Sequence, residues 1–179
     1  PDEPPSMKPS FCAIANNGAT LQEVGDDTFP LYSITKTIIA SLILDLGVKI
    51  ARPVADWMDD TWVPRGGEIS VEQLLTHTSG LGDYFAVPEY HAAVNEGGTP
   101  WSDRQYADVT LAKPLLFEPG HGWAYSNPGF WLLKQICEIE SGLSFASLVE
   151  ERIAKRLNLP SLQVAEGIFS DQLPAYEAG

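Results

Sequence analysis

The chain has 179 residues, 44% of them hydrophobic, which is enough to bury the core of one globular domain. Twenty-four acidic residues against 11 basic ones give a formal net charge of −13. Because the carboxylates are dispersed rather than run together, they read as a solvated acidic surface, and neither nucleic acid nor an anionic membrane is expected as a partner.

Residues 1–10 are rich in proline and are expected to form an extended tail. Phe11 to Ala15, then Asn16-Asn17-Gly18, then Thr20 to Val24 read as a β-hairpin whose turn needs positive φ at Gly18. Residues 11–28 are assigned to this hairpin and 29–160 to a mainly helical body. Leu31-Tyr32-Ser33-Ile34-Thr35-Lys36-Thr37 leads into the apolar run Ile38 to Leu46, a helix that must be buried and that stops at Gly47. Val54 to Pro64 reads as irregular. Ser70 with Gln73, and Ser102 with Gln105, have the S-x-x-Q spacing of capping boxes at two further helix starts. Gly80 and Gly142 stand where helices would end. Gly97-Gly98-Thr99-Pro100 is a loop break inside the domain. Helices at about Pro128 to Glu140 and Phe145 to Leu157 complete the body. Their apolar positions, Phe130, Leu133 and Ile136, then Leu148, Ile153 and Leu157, recur at helical spacing and are assigned to the core.

No apolar run reaches membrane-spanning length, and no basic segment followed by an apolar one opens the chain, so no membrane span is expected. The compartment stays open between periplasmic or secreted and cytoplasmic. Cys12 and Cys137 have neither metal spacing nor a disulfide framework; they read as buried thiols, with a bridge as the alternative. His91 and His121 have no partner spacing for a metal and H-E-x-x-H is absent, so no metal and no cofactor are expected. The G-x-S-x-G elbow of a Ser-His-Asp hydrolase is absent too.

Two segments carry chemistry. In the first, Ser33 and Lys36 are three residues apart at a helix start, where positions i and i+3 share a face. An amine held among Ile34, Ile38 and Ile39 is expected to lose charge stabilisation and to become able to take the Ser33 proton. The helix N-terminus would then offer the Ser33 backbone N–H to an oxyanion. The bland alternative is a serine near a helix start beside a solvated lysine. In the second, Tyr125 and Asn127 are two residues apart ahead of a helix and so point the same way if extended. Tyr125 could exchange a proton with a leaving group while Asn127 holds a substrate amide and the Lys36 amine. Alternatively Asn127 caps the helix that Pro128 opens.

Taken in order, Ser33-x-x-Lys36, His77-Thr78-Ser79-Gly80-Leu81, Phe117-Glu118-Pro119-Gly120 and Tyr125-Ser126-Asn127 resemble the serine β-lactamase-related family of class C β-lactamases, D-Ala-D-Ala carboxypeptidases and esterases. The resemblance runs from about Phe11 to about Ala175. It implies an α+β, β-lactamase-like (DD-peptidase) fold and catalysis through an acyl-enzyme. Ser33 would be acylated, with Lys36 and Tyr125 handling protons and Asn127 orienting the substrate. His77 is read as structural, bracing the loop after a helix. Tyr84, Phe85, Trp123 and Tyr125 either rim the pocket or pack as lids over a core edge.

The family's third motif, Lys or His followed by a small residue and Gly, has no counterpart: no His follows His121, and neither Lys134 nor Lys155 has Gly two positions on. Residues 11–179 are therefore expected to be the N-terminal portion of a β-lactamase-like serine hydrolase domain whose remaining sheet strands are absent from this chain. A second chain or a missing C-terminal segment would complete the sheet. The function expected is hydrolysis of an amide, β-lactam or ester bond in a small-molecule or peptide substrate. The alternative is a non-catalytic binding or assembly domain.

Overall fold

A computed structural model describes residues 11–14, 20–24, 31–95 and 101–164. The expected proline-rich tail, the Asn16-Asn17-Gly18 turn and the break at Gly97 to Pro100 lie outside the described residues. Two compact units divide the chain, residues 1–33 and 34–179.

In the first unit, strand β1 (Phe11–Ile14) pairs antiparallel with β2 (Thr20–Val24). Phe11 faces Val24, Cys12 faces Glu23 and Ala13 faces Gln22; the register then slips, so that Ile14 faces Thr20. Ser33 is exposed and lies in the 3-10 turn Tyr32–Ile34. It therefore stands just ahead of the α-helix, on a tighter turn, instead of at the helix's first position. Tyr32 before it has φ +43°, a left-handed conformation uncommon for a residue with a bulky side chain.

The second unit is helical among its described residues. Helix α1 (Thr35–Asp45) ends through Leu46 at Gly47, where φ is +70°. Ile39, Leu42 and Ile43 form its buried stripe, while Ile34 and Leu44 are both 65% exposed. Helix α2 (Val71–Leu75) and helix α4 (Asp103–Thr110) both open on complete capping boxes, with Ser70 and Gln73, and Ser102 and Gln105, bonding each other's backbone. Between these two lies α3 (Pro88–Asn95). Val54 to Pro64 has no regular structure beyond a 3-10 turn at Val54–Asp56.

Helix α5 (Asn127–Ser141) is the central element. Pro128 sits in its first turn, Ser126 caps it by accepting the Gly129 N–H, and Gly142 ends it with φ +70°. Leu132, Leu133 and Ile136 are fully buried, each contributing about 1.5–3 kcal/mol of apolar burial. α1 and α2 both pack on this helix. The last helical stretch is α6 (Phe145–Leu148), a π-helical turn at Val149–Ala154 and α7 (Lys155–Leu157). The π turn packs against α1, and Arg152 and Arg156 both pair with Asp45 at that helix's end.

Gly80 does not end a helix. α2 stops at Leu75, and Gly80 lies in the loop beyond it with φ +84°. A Cβ there would strike the Phe117 carbonyl oxygen, so the glycine serves a close approach of two loops.

Candidate active site

The loop after α2 and the loop before α5 are laced together, and this lacing builds the site. Leu116 donates its N–H to Gly80 O at 2.8 Å, Gly120 to Thr78 O at 2.8 Å and Ala124 to His77 O at 3.0 Å. His77, at φ +60°, turns its ring across the gap, and Nδ1 accepts the Ser126 N–H at 3.1 Å. The Ser126 hydroxyl donates to Gly82 O at 3.1 Å while accepting from Gly129 N–H, also at 3.1 Å. Bracing by His77 is thus visible as one bond between loops 49 positions apart.

This scaffold presents Asn127 to Lys36. Lys36 Nζ donates to Asn127 Oδ1 at 2.6 Å. Lys36 Nζ also lies 5.0 Å from the centre of the Tyr125 ring and 5.6 Å from that of Phe130, within cation–π range of both faces. Its aromatic cover comes from α5 and the loop before it, whereas Ile34, a neighbour expected from sequence, is largely exposed. Asn127 does not cap α5, because Ser126 does; its side chain is left to bond Lys36 on one side and Asp83 on the other.

Asp83 is the residue that the sequence reasoning missed. Its Oδ2 accepts both the backbone N–H and the Nδ2–H of Asn127 at 2.9 Å, and its Oδ1 accepts the Phe85 N–H at 3.0 Å. An acid two residues beyond Leu81 in a loop has no periodicity to betray it, and its partner is 44 positions away.

The aromatic residues divide into two groups. His77 packs on Tyr125 at 4.6 Å, Phe130 at 5.1 Å and Trp123 at 6.1 Å between ring centres. Burial, then the Lys36 charge, hold the His77 imidazole below its ordinary value of 6.5, against an opposing pull from Asp83. Tyr84 instead joins Phe85, Tyr90 and Tyr106. Burial, reinforced by Tyr90 and Asp83, pushes its phenol up to about 12. Trp123 is 67% exposed beside His77, so it is available to a ligand and not part of the core.

Cys137 is a free, buried thiol on α5, pushed up to about 12 by burial. Among the described residues no group of three His, Cys, Asp or Glu side chains is arranged to hold a metal, and no helix is long and apolar enough to cross a membrane.

Comparison with known proteins gives the same outline. The chain is 35% identical over 136 residues to penicillin-binding protein 4* of Bacillus subtilis, covering 70% of this chain and 28% of that protein. It is 36% identical over 128 residues to a D-aminopeptidase of Gluconobacter oxydans, covering 70% of this chain and 24% of the relative. The chain thus spans about a quarter of the length of these curated relatives. The crystal structure of a D-stereospecific amidohydrolase from a Streptomyces species superposes with a TM-score of 0.70 at 33% identity, over 76% of this chain and 44% of that one. The β-lactamase-like fold rests on this likeness, and the family model described as Beta-lactamase matches residues 13–174. A match over nearly the whole chain, with relatives of this similarity, shows that the chain belongs to the Beta-lactamase family.

Proposed function

We propose that the protein of which these residues are part is a serine hydrolase working through an acyl-enzyme, with Ser33 as nucleophile, Lys36 and Tyr125 as the proton-handling pair and Asn127 as the orienting amide. The observation that carries this reading is the 2.6 Å bond from Lys36 Nζ to Asn127 Oδ1, with the Tyr125 ring 5.0 Å from the same nitrogen. A lysine and an amide 91 positions apart meet beside a tyrosine, at the amine three residues after Ser33. The left-handed Tyr32 supports it further, since such conformations gather where a reactive side chain must be presented.

The chemistry balances with water as the second reactant. The Ser33 Oγ–H proton passes to the Lys36 and Tyr125 pair as Oγ bonds the substrate carbonyl carbon. Tyr125 gives a proton to the departing nitrogen or oxygen as the bond to carbon breaks. Water then attacks the acyl carbon, losing its proton to the same pair and restoring Ser33. Trp123 and Tyr84 would contact the substrate from the two aromatic groups. The names of the relatives favour an amide or peptide of a D-configured residue over an ester or β-lactam. Because the relatives are several times longer, the catalytic unit is proposed to include further sheet strands, whether from the same polypeptide or from a partner.

Ser33 is exposed, while Ser79 and Ser126 are each 1% exposed, so attack on an added electrophile is expected at Ser33. Incubation with a fluorophosphonate or a penicillin, followed by peptide mass mapping, should find the adduct on Ser33 and lose it in Ser33→Ala. An adduct that persists in Ser33→Ala would falsify the mechanism. Absence of any adduct, together with tight binding of D-amino-acid peptides, would favour the binding or assembly role.

A further inference from the structure

Asn127 can face its two neighbours in only one way. A lysine ammonium has donors and no acceptor, and a carboxylate has acceptors and no donor. The amide oxygen must therefore turn to Lys36 and the amide nitrogen to Asp83, and the bonds lie so: Lys36 Nζ to Oδ1 at 2.6 Å, and Nδ2 to Asp83 Oδ2 at 2.9 Å. The same Oδ2 also takes the Asn127 backbone N–H at 2.9 Å, which fixes the first residue of α5 as well as its side chain. With Asp83 gone, the amide would be free to rotate about χ2 and offer its nitrogen to the lysine, a donor against a donor.

We propose that Asp83 is a positioning residue for the acylation reaction. Its carboxylate locks the Asn127 amide with the oxygen toward Lys36, and so fixes where the lysine amine stands. This rests on the reading of Lys36 and Asn127 given above. Asp83 acts through Asn127, whose side-chain amide and backbone N–H it accepts. Each of its oxygens has a separate task, since Oδ1 caps the 3-10 turn Tyr84–Ala86 by accepting the Phe85 N–H. A neutral amide at this position has one acceptor oxygen and could serve only one of the two tasks. A serine could still cap the turn but is too short to reach Asn127.

The test is a double-mutant cycle on the full chain. Second-order acylation rates with a fluorophosphonate are measured for the native protein, Asp83→Ser, Asn127→Ala and the double variant. In parallel, hydrogen exchange of the Asn127 side-chain amide is followed by NMR, its signal being assigned by its loss in Asn127→Ala. Asp83→Ser is expected to slow acylation about ten- to a hundredfold and to add little in the Asn127→Ala background, the coupling expected of groups in direct contact. It should also speed exchange of the Asn127 amide while the far-UV circular dichroism stays native, showing that the fold is kept. Asp83→Asn should fall between native and Asp83→Ser. An equal loss from Asp83→Ser in both backgrounds, or unchanged Asn127 amide exchange, overturns the proposal. Native-like acylation by Asn127→Ala would instead count against the catalytic reading of Asn127, while the exchange measurement still decides whether Asp83 holds it.

Discussion

His77 Nδ1 accepts the backbone N–H of Ser126 at 3.1 Å, joining the loop after α2 to the residue that caps α5. An imidazole nitrogen that accepts this bond carries no proton, so the neutral ring is the one the fold is built around. Burial and the neighbouring Lys36 charge favour the same form.

Acid should therefore loosen this joint. Because the folded value of His77 lies below 6.5, the unfolded chain binds the extra proton first as pH falls. The contribution of His77 to stability is complete above 6.5 and is lost as pH falls through the depressed folded value. NMR titration of the ring protons should give a midpoint below 6.5, and His77→Gln should remove this part of the pH dependence of unfolding. A midpoint above 6.5 would show that the ring is held in its charged form.

Gly80→Ala should be among the costliest small substitutions, above about 3 kcal/mol, because it combines a left-handed backbone with a clash against the Phe117 carbonyl. Gly47→Ala has the same backbone penalty with open space around it, and should cost about 1–2 kcal/mol. Urea unfolding of the pair separates the two effects; equal losses would mean that the loops part to admit the methyl group.

Ser126→Ala, at a residue that is 1% exposed, removes the cap of α5 and leaves the half-buried Gly82 carbonyl without its hydroxyl donor. A loss of about 2–4 kcal/mol is expected, from about 1 kcal/mol for a cap and about 1–3 for a buried group left unpaired. Ser144→Ala, which removes the exposed cap of α6, should cost about 1 kcal/mol or less. Similar values for both would remove the special standing of the Ser126 joint.

Cys137 should resist iodoacetamide at pH 8 in the native protein, since a thiol pushed up to about 12 and buried on α5 has little thiolate and no access. Labelling should appear only with denaturant. Rapid native labelling would mean that α5 opens locally, which its fully buried neighbours Leu133 and Ile136 argue against.

Trp123→Ala should change stability by less than about 0.5 kcal/mol, because the side chain is largely exposed. If the residue contacts substrate as proposed, the same change should alter the ranking of D-amino-acid amides, esters and β-lactams as acylating agents. An unchanged ranking would assign Trp123 to the surface alone.

The features legible in the sequence are those made within about four residues. Both capping boxes, the stops at Gly47 and Gly142 and the apolar spacing of α5 depend on hydrogen bonds and faces that recur within one helical turn, so residue type and spacing suffice to find them. The ordered motifs from Ser33 to Asn127 likewise pointed to the family from residue types alone. Tertiary structure decided what those motifs touch. Gly80 is spaced as a helix stop but serves the approach of its loop to Phe117, and of the two readings open for Asn127 the capping one falls to Ser126. Asp83 carried no signal at all. Its bond to Asn127 and that of Lys36 join residues 44 and 91 positions apart, brought together only because α1 and α2 pack on α5 and two loops are laced between them. Hydrogen bonds at such separations leave no period in the chain, and packing alone creates them.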